Sequence, residues 1–349
     1  MKASLLFLGC SNRSSKTTAV AAALFLVTGC PGDDPDPDPE PEGEWALTHE
    51  VDEAGGSLLS VWGPTPDDVR AVGGQTPGVG EAGTGLMLKR DGEAWVAETL
   101  PADTPVLNWI HGADGVTWAV GNAGAAVRLE GGAWVRDDSP VDVPLWGVFA
   151  ISASEAWAVG GDAFDTQGTG VLVHYTGGAW TQVDTPMLDR PAPALFKVWA
   201  SSATDVHAVG DNGVILHYDG ATWTQVPSGI TEDLISLWGT GPDEIVAVGG
   251  RSNGVLARYD GSAWSGTMLA RMPALNGVWV DSEGDAIIAG ERGVVARVPA
   301  GDDEAEILES PALLDVLHAA FGFDGGGQIA VGGSLQNSPP YTGLILERP

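Results

Sequence analysis

Three observations predict that this chain folds as an all-β, seven-bladed β-propeller of four-stranded blades. A unit of about 40 to 50 residues recurs along most of its length, the period of a propeller blade. Each copy holds four short segments rich in β-branched and aromatic residues, separated by Gly or Asp-Gly, as in an antiparallel meander. Gly 50, Pro 23 and Trp 14 among 349 residues favour short strands and tight turns over helices.

The fullest copy, residues 195–226, shows the four elements in order. The first is Leu-Phe-Lys-Val-Trp-Ala, and its Trp199 can be followed through the chain as Trp62, His111, Phe149, Trp199, Trp238, Trp279 and Phe321. Four residues before each aromatic stands a leucine, at 58, 107, 145, 195, 234, 275 and 317. That column fixes the register where the aromatic changes. The second element ends in the Gly of Ala-Val-Gly or Ile-Ala-Gly, at 73, 121, 160, 210, 249, 290 and 332. The third opens at Gly85, Gly124, Gly170, Gly213, Gly254, Gly293 and Gly343. The fourth opens at Trp95, Trp134, Trp180, Trp223 and Trp264, with residues 304–308 standing in for it in the sixth copy.

The seventh copy ends at Pro349 without a fourth element, whereas residues 43–48, Gly-Glu-Trp-Ala-Leu-Thr, match a fourth element with no blade before it. The N-terminal strand is therefore expected to pair with the last blade and close the ring over residues 43–349, leaving no open sheet edge at the seam.

Ahead of residue 43 the sequence reads as an address and a tether. Lys2, Arg13 and Lys16 make a positive start, and residues 18–28 make an apolar run too short to span a bilayer as a stable helix. Val27-Thr28-Gly29-Cys30 follows and resembles a bacterial lipobox. The resemblance implies a signal peptide over 1–29, cleavage before Cys30, and acylation of the Cys30 thiol and amine, with enough chains for stable anchoring. In residues 30–42 the lipidated Cys is followed by alternating Pro and carboxylates, which repel one another and stay extended. The expected location is outside the cytoplasm on a bacterial membrane, at the outer membrane or cell surface.

Net charge is -31, from Lys+Arg 16 against Asp+Glu 47. Such a surface repels a phosphate backbone, so nucleic acid is not an expected partner. Cys10 and Cys30 are the only cysteines, which excludes a disulfide framework or a Cys-ligated zinc site in the body.

The tandem Val-Trp-Gly, Asp-Val-x-Ala-Val-Gly and His-Tyr-Asp-Gly-x-x-Trp motifs over residues 43–349 resemble those of bacterial secreted and lipid-anchored β-propeller repeat lipoproteins. That resemblance implies the fold, not an activity. The Asp-Gly-x-x-Trp corner lacks the Ser-x-Asp-x-Gly-x-Thr-Trp spacing of the sialidase-type Asp-box.

A position filled alike in every blade serves a purpose that every blade shares, and a site must break the symmetry. The fourth-element Trp residues thus read as core. Lys89, Arg128, His174, His217, Arg258 and Arg297 share one third-element position and are expected to pair with an acidic column, Asp68, Glu155, Asp205, Glu244 and Asp285. On this reading His174 and His217 are structural and not convincing metal ligands or general bases. Residues 78–83 match Gly-x-Gly-x-x-Gly but open no helix, so a dinucleotide site is not expected. No other catalytic motif occurs, and no catalytic residue is assigned.

Asymmetry concentrates in the connections on one face. The loop between the second and third elements lengthens in blades one, three and seven, and the connections 183–194 and 267–274 lie on the same side. Variable loops on a rigid scaffold are the usual place for recognition. The ligand-binding candidates are Asp162, Phe164, Asp165 and Gln167 in one loop, Gln336, Asn337 and Tyr341 in another, and Arg190 and Arg271 in the connections. Asp162 and Asp165 are weak calcium candidates, and no other cofactor is expected.

The sequence is thus read as a monomeric, non-enzymatic, lipid-anchored propeller binding a protein or glycan in the envelope or outside it. The alternative is a glycan-active hydrolase or lyase using carboxylates on the variable face.

Overall fold

A computed structural model describes residues 43–78, 81–165, 167–335 and 338–349. Cys30 and the residues before 43, with the readings made of them, lie outside the described residues, as do Gln336 and Asn337. Residues 43–349 form one compact unit of seven four-stranded antiparallel sheets, the propeller expected from the repeat. Blade four is representative: Leu195–Ser202, Asp205–Gly210, Ile215–Tyr218 and Trp223–Val226, each strand paired to the next. In blade seven, Val316–Gly322, Gln328–Gly333 and Gly343–Arg348 are completed by Ala46–Val51, which pairs antiparallel with the last strand.

The two invariant columns have one cause. Each column Leu pairs across to the column Gly, as Leu58 with Gly73 and Leu195 with Gly210. All seven leucines are buried. A Cβ on any of the seven glycines would run into the carbonyl oxygen of the residue before the Leu. The first two strands therefore approach too closely there for any other residue.

The fourth-strand Trp residues are at most 8 % exposed, and so is Trp45, their counterpart on the N-terminal strand, which places all six in the core between blades. Four of the five expected pairings form: Lys89 with Asp68 at 3.4 Å and Arg297 with Asp285 as ion pairs, and His174 with Glu155 at 3.1 Å and His217 with Asp205 at 2.8 Å as imidazole–carboxylate contacts. Arg258 departs from the expectation. It donates instead to the carbonyls of Pro299 and Asp302, while Glu244 accepts from Thr240.

Candidate functional site

Directly after the Leu–Gly pair, every first strand slips register by one residue: a bulge lies between Leu58 and Ser60, Leu107 and Trp109, Leu145 and Gly147, Leu195 and Lys197, Leu234 and Ser236, Leu275 and Gly277, and Leu317 and Ala319. A bulge leaves its extra residue out of the ladder and re-aims its side chain. The seven extra residues are Leu59, Asn108, Trp146, Phe196, Ile235, Asn276 and His318, and all of them line one cavity of about 320 Å³. The most regular device in the fold thus displays its least regular column.

The cavity opens among the connections of the variable face, since Thr76, Asn122, Phe164, Arg251 and Leu335 also line it. Toward the opposite face the aromatic column fills the axis. His111 stacks on Phe149 at 4.1 Å and meets Trp238, three blades away, edge-on at 6.0 Å, and Trp238 meets Phe321 at 5.8 Å. His111 Nδ1 accepts the Ala150 N–H at 3.0 Å, and burial pushes its pKa down to about 3, so it sits in this layer as a neutral ring.

Between the bulge column and the aromatic layer lies Lys197. Its Nζ donates to the carbonyls of Trp146 and Phe196 at 3.1 and 3.2 Å and stands 4.0 Å from the centroid of Trp109. Gly147 permits this, because a Cβ there would come within 2.8 Å of the Phe196 oxygen and 3.0 Å of the Lys197 Cα. Burial lowers the Lys197 pKa to about 7. His318 is lowered to about 4 by burial and by the Lys197 charge, and presents a neutral imidazole.

The polar groups of the wall are largely engaged. Asn108 Nδ2 donates to Asn122 Oδ1 at 2.9 Å and to the Leu145 carbonyl at 3.0 Å, and Trp146 Nε1 donates to the Gly161 carbonyl at 2.9 Å. At the mouth Arg251 bridges Asp211 and Asp233, whose other oxygens accept the N–H groups of Ala194 and Asn212. Those two carboxylates hold loops. What remains is a largely apolar, aromatic well whose lining includes the buried Lys197.

Of the ligand-binding candidates among the described residues, Phe164 alone lines this cavity. Asp162, Asp165 and Gln167 are exposed on the same blade-three loop, where the Asp162 and Asp165 carboxylates accept the N–H groups of Phe164 and Gln167. Arg190 donates to the Asn212 carbonyl in a separate surface cleft, and Arg271 lines another. Tyr341 is a correction: it is 4 % exposed, with its backbone N–H and carbonyl clamped by the Gln75 amide of blade one at 3.0 and 3.1 Å. It joins the loops of blades one and seven instead of presenting a ring to a ligand.

No protein-family model matches the chain, and no curated protein matches it. Solved structures do. The WD40 β-propeller domain of Doa1 superposes with a TM-score of 0.64 at 10 % identity, covering 86 % of this chain and 96 % of that one. YCF48 from Cyanidioschyzon merolae gives 0.62 at 13 % identity, covering 87 % and 98 %, and YCF48 bound to D1 peptide gives 0.60 at 13 %, covering 87 % and 96 %. Virginiamycin B lyase from Staphylococcus aureus gives 0.65 at 11 %, covering 86 % and 99 %. At such identities the likeness is one of fold.

Proposed function

We propose that this propeller is a binding module that receives an apolar segment of a partner protein in its axial cavity, as a lipid-anchored component of a bacterial envelope or cell surface. The observation that carries the reading is the bulge column: seven equivalent positions that face one cavity hold Leu, Asn, Trp, Phe, Ile, Asn and His. Packing needs would have made them alike. About 320 Å³ stands at the low end of the range for small-ligand sites, room for one or two side chains.

The chemistry of the wall favours a polypeptide over a glycan. Leu59, Val106, Phe164, Phe196, Ile235 and Leu335 present apolar surface to the cavity, and the Asn and Trp polar groups are already spent on the fold. Among the described residues the lining contains no Asp or Glu, so the paired carboxylates of a glycan hydrolase have no counterpart there. Propellers of this shape serve both classes, one solved with a bound peptide and another a lyase.

The test is thermal unfolding and calorimetric titration of the purified protein against short hydrophobic peptides and envelope oligosaccharides. A peptide at about a hundred times its Kd should add roughly 2.7 kcal/mol of stability. Phe196→Ala should remove that gain. Oligosaccharide binding that persists in Phe196→Ala, with no peptide bound, would overturn the reading.

A further inference from the structure

Blade four departs from its siblings at a second place, on its two middle strands. The second-strand residue facing the Lys89-to-Arg297 column across the ladder, or Glu347 in blade seven, is Arg70, Trp118, Trp157, Val246, Ile287 or Ile329 in the other blades, and His207 here. In blade three Trp157 stacks on His174 at 4.0 Å and 8°, with Glu155 on the imidazole. In blade four His207 takes the Trp position and stacks on His217 at 4.5 Å and 21°. Two imidazoles and the Asp205 carboxylate therefore share one face of a hairpin.

We propose that Asp205, His207 and His217 form a binding site for a divalent transition-metal ion of the zinc class. His217 Nε2 and His207 Nε2 lie 2.8 and 3.3 Å from the same oxygen, Asp205 Oδ1, and the three donor atoms all fall within 4.8 Å of one another. Metal bonds of about 2.0–2.1 Å in a tetrahedron set ligand atoms about 3.3 Å apart, close to the two carboxylate–imidazole distances, and a tilt of the partly exposed His217 ring out of its stack on His207 would aim both nitrogens at one ion. Two nitrogens and one oxygen suit zinc, cobalt or copper, whereas calcium takes oxygen ligands.

The surroundings prepare the donors. Ser201 Oγ donates to Asp205 Oδ2, which turns the other oxygen toward the imidazoles. His207 is 1 % exposed, and both of its ring nitrogens are buried without a hydrogen-bond partner among the described residues. Tyr259 and Trp264 of blade five pack against its ring and fix it. His217 and Asp205 remain 27 % and 23 % exposed, which leaves an entry path and room for water as the fourth ligand. Asp205 and His207 stand two apart on one strand with His217 opposite, so the geometry follows from the sheet itself. The site is independent of the axial cavity.

Cobalt titration tests this. The purified protein should develop a visible d–d absorption band that saturates at one equivalent of Co²⁺ and is displaced by Zn²⁺. His217→Ala should abolish the band. His207→Trp, which rebuilds the blade-three arrangement and so keeps the fold, should abolish it too, whereas His174→Ala should leave it intact. Absence of a band at excess Co²⁺, or a band that survives in both His217→Ala and His207→Trp, would overturn the proposal.

Discussion

Lys197 is 8 % exposed, and among the described residues its ammonium meets two carbonyl oxygens and an indole face. Burial wins, and the pKa falls from 10.5 to about 7. The unfolded chain keeps this proton up to 10.5, so between about 7 and 10.5 it binds more protons than the folded ring, and stability climbs with pH at up to about 1.4 kcal/mol per unit. Lys197→Met should flatten that climb, measured as denaturant midpoints at pH 7 and 10. Equal slopes in both proteins would mean that the amine finds water in the cavity. His111 works at the acid end. Its pKa falls from 6.5 to about 3, so stability is full above 6.5 and is lost as the pH drops toward 3. His111→Phe should weaken the acid dependence, yet cost roughly 1–3 kcal/mol at pH 7, because the Ala150 N–H loses its acceptor.

At the scale of the strand, the bulge divides the work of neighbouring residues. Leu195 packs between blades at 0 % exposure, whereas Phe196, the next residue, is out of the ladder and half-buried at the cavity. Leu195→Ala should therefore cost about 2–5 kcal/mol of stability. Phe196→Ala should cost much less and show itself in ligand binding, a contrast that parallel denaturant titrations would expose. The same division explains what the sequence discloses. Leucines, glycines and tryptophans repeat because every blade needs them, so strand order, register and the seam strand can be read directly. Alternation with a period of two would send Phe196 to the face opposite Leu195, and no pattern within one blade announces the extra residue that turns it to the axis. Only the alignment of all seven copies isolates a column as mixed as Leu59, Asn108, Trp146 and His318. Of the loop candidates Phe164 reaches the cavity, whereas Asp162 and Asp165 each spend an oxygen on their own turn and Tyr341 is drawn inward by Gln75. The loop lengths nevertheless mark the face on which the cavity opens. No repeat signal marks His207, because its position holds Arg, Trp, Val or Ile in the other blades, while its partner His217 belongs to the ordinary column.

At the scale of the molecule, the ring depends on a strand contributed by the far end of the chain. Ala46–Val51 pairs with Gly343–Arg348, Arg348 Nε donates to the Gly43 carbonyl at 2.7 Å, and Arg90 of blade one reaches Glu347 at 3.6 Å. Trp45, just before that strand, is 4 % exposed, like the tryptophans that open the other fourth strands. Closure is entropically costly but grows only as the logarithm of loop length, so a strand some 300 residues away can still hold the seam. Once it does, each blade has two neighbours, and loosening one exposes the flanks of both. Trp45→Ala should cost about 3–5 kcal/mol, the same as Trp180→Ala in the middle of the ring. Both should lower a single calorimetric transition. If the seam were an appendage instead, Trp45→Ala would leave the main transition in place and release only the terminal strand, seen as protease cleavage after residue 51 with the remaining blades folded.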